Sequence, residues 1–327
     1  MTQKNIIIVG SGVTGLTTAH QLALAGHKVT IVSLEGADKN PHTSDSAYAM
    51  SIPVAWNPDT RIAPFTVASR AKYTELSADK ASGIELLPAI VLHRKTVADP
   101  WYSDLAGFRH ATSSERGDLY DDGLVMENTP VIDPSTYLPY LRAKVIALGV
   151  TIQKLEVKSF DDLPAEYDAI VNCTGFGHRA ITGDTSVFAS RVQVVRVSNA
   201  NNKHIRVCKT DDEDGDARVC IVPHEKYITI GGFFDGGETI DVDDSLTQRL
   251  LDNAMRVEPG LKVSLADVIE VRRAIRPERN MPLLDRTTTA GGRILVHSNG
   301  WDGMGYCGAW GSADWVVENI FADDSAA

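Results

Sequence analysis

The sequence predicts an α/β protein in which a Rossmann-like parallel sheet is interleaved with an antiparallel, α+β part. Three observations carry this. A βαβ pattern with glycines at positions 10, 12 and 15 opens the chain. Buried-strand patterns return near residues 150–172 and 294–297. Between them, from residue 191 to 232, short β-like segments follow one another with turn formers in between, as successive hairpins do.

Ile6 to Val9 form a β-branched run suited to a strand buried on both faces. Gly10, Gly12 and Gly15 then give G-x-G-x-x-G. A helical stretch follows, starting at Val13 and Thr14, with Val13, Leu16, Ala19, Leu22 and Ala23 on one face and Gly26 as its stop. Residues 28–32 read as the second strand. The glycines suit a tight turn, close backbone approach to a pyrophosphate, and close packing of helix on strand. The helix N-terminus offers N–H donors and a positive dipole end to phosphates. A plain βα turn is the competing reading. The end of the second strand usually carries an acid for the adenosine ribose. Ser33 stands there instead, with Glu35 two residues on. This weakens NAD and leaves FAD or a phosphorylated ribose open.

A chain of 327 residues can bury one large or two medium cores. Its net charge of −11 argues against nucleic acid and against an anionic membrane surface as partners. No apolar run approaches the roughly 18 residues that a spanning helix needs. The first strand begins so early that no signal peptide is expected, and a cytoplasmic location follows as the simplest expectation. The four cysteines, Cys173, Cys208, Cys220 and Cys307, lack metal-ligand spacing, so no metal site is expected.

Residues 43–49 are small and polar, suited either to lie against a phosphate or flavin ring or to form a surface loop. Residues 66–77 read as a helix and 84–93 as a strand. Residues 100–122, rich in turn formers, read as irregular, and regular structure restarts at 131. Asp133-Pro134-Ser135 opens a helix that Gly149 ends. The strand 169–172 runs into Cys173-Thr174-Gly175, where small side chains let backbone approach a cofactor. Segments 192–197, 204–209, 218–222 and 226–232 supply the hairpins. The acidic run 211–216 reads as a solvated hairpin tip. Residues 246–257 form a helix, and 266–275 lead into Arg272, Arg273, Arg276 and Arg279. On a strand these four cannot share one face. A buried guanidinium needs an anion, and a substrate carboxylate is a good match, with salt bridges to Glu270, Glu278 or Asp285 as the alternative. The glycine-rich residues 298–311 follow, before a helix at 312–320.

Taken in order, the βαβ unit, Val-Asn-Cys-Thr-Gly at 171–175, Gly183-Asp184 with Arg191-Val192-Gln193, Ile-Arg-Pro at 275–277 and the His297-to-Gly305 segment resemble the D-amino-acid oxidase family of FAD-dependent amine oxidases. The resemblance spans nearly the whole chain. It implies a Rossmann-like FAD-binding domain (residues 1–58, 135–186 and 286–327) interleaved with an antiparallel-sheet substrate domain (59–134 and 187–285). By this likeness Gly10, Gly12, Gly15, Thr43, Ser44, Val157, Thr174 and Gly303, Met304, Gly305, Tyr306 and Cys307 line the cofactor. Val13, Thr14, Ser33 and Gly175 join them from the loops read above. Cys220 replaces a tyrosine that helps hold the carboxylate in D-amino-acid oxidases. The arginine of the Arg-Pro pair binds carboxylate in glycine-oxidase-like members, which matches Arg276, and Arg279 stands near the alternative register. Arg276, Arg279, Cys220 and Gly303 are therefore the expected catalytic group.

The resemblance implies oxidation of the C–N bond of a small amino or imino acid by hydride transfer to flavin N5, with dioxygen as acceptor giving hydrogen peroxide. It allows for a homodimer. A tailoring enzyme acting on a larger secondary amine, or a flavin-binding protein without turnover, are the rival readings.

Overall fold

In the computed structural model the described residues are 2–34, 43–52, 61–211 and 218–322, with 233–235 described by backbone alone. Glu35 and the acidic residues 212–216 lie outside them. The elements in order are β1 (Asn5–Val9), α1 (Val13–Leu24), β2 (Lys28–Ser33), α2 (Ala63–Leu76), β3 (Ile84–His93), β4 (Phe108–His110), α3 (Ser113–Arg116), β5 (Asp122–Ile132), α4 (Pro134–Ala147), β6 (Thr151–Lys154) and β7 (Ala169–Asn172). They continue with α5 (His178–Thr182), β8 (Phe188–Ser198), β9 (Cys208–Asp211), β10 (Val219–Pro223), β11 (Tyr227–Gly236), α6 (Asp244–Val257), β12 (Val268–Glu278), β13 (Leu283–Thr288), β14 (Ile294–Asn299) and α7 (Gly305–Asn319).

Two sheets organise the molecule. The first runs β13-β14-β7-β1-β2-β6, parallel throughout except for the antiparallel β13. Ile6 and Ile8 of β1 point into one core with Leu16 and Leu22 of α1, Tyr137 of α4 and Trp310 of α7. Ile7 and Val9 point the other way, into a second cluster with Phe160 and Leu163. That two-sided burial is what the unbroken apolar run foretold. The Trp310 indole donates to Tyr137 Oη at 3.2 Å, so the polar atoms of two buried rings satisfy each other.

The second sheet runs β12-β8-β11-β10-β9-β3-β5-β4 and is antiparallel except where β3 meets β9. Helix α6 packs Leu250, Leu251 and Ala254 against it. Gln193 of the Arg-Val-Gln segment serves this packing: its amide donates to Asp243 O at 2.8 Å and Thr247 Oγ1 at 3.0 Å, tying β8 to the start of α6.

Several expectations are corrected. Regular structure restarts with β4 at Phe108, not at 131, and β5 from Asp122 pairs along nine residues of β3. Residues 100–122 also hold β4 and α3. The segment expected at 204–209 is β9, at Cys208–Asp211. Asp211 is no hairpin tip: it is buried and accepts from Tyr120 Oη at 2.5 Å, with Arg94 and Arg256 each 3.5 Å away. Helix α7 starts at Gly305, seven residues before the predicted start. Strand β13 was not foreseen. It opens at Leu283, inside the stretch assigned from sequence to the substrate part, and pairs in the first sheet.

Candidate active site

Two adjoining cavities lie where the sheets meet. The first, about 480 Å³, extends over the C-terminal ends of β1, β2 and β7. The second, about 440 Å³, opens onto the face of the antiparallel sheet. Val13, Thr43, Ser44, Ser46, Asp302 and Gly305 line both, so a single long ligand can pass from one to the other.

The glycine loop divides its work as its spacing suggests. Gly10 has φ +112°, and a Cβ there would stand 2.2 Å from the Cys173 carbonyl oxygen, so this turn presses directly on the end of β7. A Cβ on Gly15 would stand 2.0 Å from Gly10 O, which is the helix-on-strand contact. At Gly12 the nearest atom is Ser44 Oγ, 3.1 Å away. That position is open to the cavity and closed to nothing else. Gly12 has no side chain to cap the α1 N-terminus, and Ser44 Oγ accepts from Val13 N at 3.0 Å instead.

Thr43 donates through Oγ1 to Ile275 O at 2.5 Å, fastening the small polar loop to β12. Tyr306 Oη donates to Ser44 O at 3.0 Å from the other side. At the end of β7, Asn172 Oδ1 accepts from Thr174 N and Oγ1, and its amide meets Nδ1 of His178 at 2.8 Å and of His297 at 2.9 Å. Asn299 holds Gly175 O at 3.1 Å. Burial pushes the Cys307 thiol up to about 11, and its sulfur contacts Met50 O at 3.4 Å, so it is a packing group.

Gly10, Gly12, Val13, Thr14, Ser33, Thr43, Ser44, Val157, Thr174, Gly175 and Gly305 line the first cavity, while Gly15 lies beneath its floor. Gly303 to Cys307, Cys220 and Arg276 line the second. Arg279 lines neither. Its guanidinium bonds Ser186 Oγ and Met281 O at 3.0 Å each. The other arginines of the cluster also diverge. Arg272 pairs with Asp45 and Glu270 at 2.6 Å each, and Arg273 reaches Asp241 O at 3.1 Å.

Arg276 is 5% exposed and lies against Gly303, whose Cβ would fall 2.1 Å from Nη2. Asp302 Oδ1 is 2.9 Å from the same nitrogen, an ion pair by distance without hydrogen-bond alignment. Burial holds the Asp302 carboxyl above its ordinary value, while the Arg276 charge opposes this. Sequence reasoning missed Asp302, and also Thr210, Arg218 and His93 on the second cavity and Glu156 on the first. Pairing of Ser33 with Lys154 brings Glu156 to the cavity wall beside the acid-free end of β2.

These features fit FAD: a helix start with glycine at its N-cap, a glycine position whose Cβ would meet only Ser44 Oγ, and a groove continuous between two sheets. Residues 5–319 match the family model described as FAD dependent oxidoreductase. The chain belongs to that family. Its similarity to the D-amino-acid oxidase of Streptomyces coelicolor is 31% identity over 314 residues, covering 94% of each chain. To the D-amino-acid oxidase of Rubrobacter xylanophilus it is 29% identical over 311 residues, covering 94% of this chain and 93% of that one. The solved glycine oxidase of Geobacillus kaustophilus superposes with a TM-score of 0.80 at 16% identity, over 100% of this chain and 96% of that one, a likeness of fold. This FAD-dependent oxidoreductase therefore keeps the family fold along its length. Among the described residues no helix is long and apolar enough to cross a membrane, and no group of three or more acidic, His or Cys ligands forms a metal site.

Proposed function

We propose that this enzyme oxidises the C–N bond of a small amino or imino acid, with dioxygen as the acceptor and hydrogen peroxide as a product. The observation that carries the proposal is Arg276, a buried guanidinium on the wall of the cavity that adjoins the glycine-loop groove. Bound there, FAD supplies the two-electron acceptor for the hydride leaving the substrate Cα. The residues that hold it are the glycine loop with Val13 and Thr14, the Thr43–Ser44 pair, Ser33, Val157, Thr174 and Gly175, and the 303–307 segment. Arg276 anchors the substrate carboxylate, and Gly303 leaves room for its planar fork. Cys220 and Val192 give the pocket apolar lining on the antiparallel sheet. Arg279, held by Ser186 and the Met281 carbonyl, supports the loop after β12.

The amino-acid substrates in the names of the curated relatives support this choice over a larger secondary amine or a protein that only binds flavin. The test is a screen of small amino and imino acids in air, measuring hydrogen peroxide and ammonia. Production of peroxide from at least one of them is expected, with ammonia released where that substrate is a primary amine. Peroxide formed only from larger secondary amines would favour the tailoring reading.

A further inference from the structure

Among the described residues lining the second cavity, Asp302 is the one carboxylate, set against the cations Arg276 and Arg218 and the imidazole His93. It also lines the first cavity, so it stands at the junction. Its backbone is unusual: φ is +50°, and Asn128 is the other described non-glycine with a positive φ. Aspartate occupies this left-handed region at a cost that glycine avoids. A carboxylate has been placed where glycine is the easier residue, within 2.9 Å of the arginine assigned to the substrate.

We propose that Asp302 recognises the ammonium group of a zwitterionic substrate, forming with Arg276 a two-charge cradle for an amino acid. This rests on the amino-acid reading of the same cavity. The charge pattern supports it. Without a ligand, Asp302 already balances Arg276, and a bare carboxylate must compete with it for the guanidinium. A zwitterion does not pay that penalty, because its ammonium engages Asp302 while its carboxylate engages Arg276, and opposite charges alternate around the site. In a partly dry cavity such contacts are stronger than in water. Asp302 thereby selects amino acids over acids of the same shape that lack the amine.

The test compares two ligands that differ by one group: α-aminoisobutyrate, which has no Cα hydrogen to lose, and pivalate, in which a methyl replaces the ammonium. Affinities are read from perturbation of the flavin band of the holoenzyme, with FAD content measured for each variant. Wild-type protein should favour α-aminoisobutyrate. In Asp302→Asn its affinity should fall about tenfold or more, while that of pivalate holds or rises, as one lost charge contact predicts. Asp302→Gly, whose backbone suits the left-handed conformation, should shift in the same sense and guards against misfolding. Equal losses for both ligands, or no change in either, would overturn the proposal by making Asp302 a structural partner of Arg276. Loss of flavin from both variants would overturn it by assigning Asp302 to the cofactor. Wild-type protein that holds its flavin, binds pivalate and ignores α-aminoisobutyrate would overturn the cradle together with the amino-acid reading; a failure confined to the variants leaves that reading standing.

Discussion

Asn172 at the end of β7 reaches His297 of β14, its side-chain amide 2.9 Å from Nδ1, and the same nitrogen meets His178 at 2.8 Å. Since Asn172 Oδ1 accepts from Thr174, the amide nitrogen is the donor and both imidazoles must offer Nδ1 lone pairs. Both rings are therefore neutral. Burial drives both downward, His297 to about 4. A histidine with a folded pKa below its unfolded value of about 6.5 adds stability above that pH, and the contribution is lost as pH falls from there towards 4. We expect the melting temperature to drop over that window, with about 2 kcal/mol from His297 after allowance for its partial exposure. His297→Gln should flatten part of the slope. A melting temperature that is level from pH 6.5 to 4 in the wild type would contradict this.

The glycine loop separates folding from binding. Gly15→Ala drives a Cβ into the Gly10 carbonyl, and Gly10→Ala drives one into Cys173 while demanding a positive φ. Either should cost on the order of 3 kcal/mol or more, visible as a lowered denaturation midpoint. Gly12→Val meets only Ser44 Oγ at the Cβ position. It should fold and be colourless, because its branches fill the space a pyrophosphate needs. A yellow Gly12→Val protein with full FAD content would refute the assigned cradle.

Asp211 is the anionic centre of a buried knot with Tyr120, Arg94 and Arg256. Asp211→Ala removes the buried carboxylate that faces two partly exposed guanidinium groups and a buried hydroxyl. We expect a loss of about 3 kcal/mol by urea denaturation. A change below about 0.5 kcal/mol would show that the knot is solvent-screened.

The first sheet was legible because Ile6 to Val9 and Gly10, Gly12 and Gly15 carry their signal locally. What failed locally was set by distant packing. The glycines of α7 look like loop residues in sequence, yet a Cβ at Gly308 would meet the Trp301 ring at 2.2 Å and one at Gly311 the Phe65 backbone at 2.5 Å. They are small because neighbours press on a helix. Strand β5 was hidden by Asn128 and Pro130, which break the alternation near the register shift opposite Leu87. Arg276 and Arg279, three residues apart in one basic run, looked alike in sequence. Only the end of β12 tells them apart: Arg276 lies within the strand against Gly303, while Arg279 falls just past it and reaches Ser186. Asp302 carried no sequence signal beyond its place among glycines.

Glu156 lines the first cavity two residues beyond the β6 residue that pairs with Ser33, and an acid there disfavours a ribose 2′-phosphate. NADPH should therefore not reduce the flavin at a rate comparable to substrate. Rapid bleaching of the flavin band by NADPH in stopped flow would contradict the cofactor assignment at this end of the groove.

The central claim is that an amino acid, anchored by Arg276, reduces the bound flavin. Anaerobic titration of wild type, Arg276→Ala and Arg279→Ala with the best small amino or imino acid tests it directly. The account predicts full bleaching in the wild type and a loss of at least roughly 30-fold in reduction efficiency in Arg276→Ala with FAD content intact, as expected from removing a charge-assisted contact of about 2 kcal/mol or more. Arg279→Ala should stay within about threefold, a difference of about 0.7 kcal/mol. An unaffected Arg276→Ala, or an Arg279→Ala that alone abolishes bleaching, would contradict it.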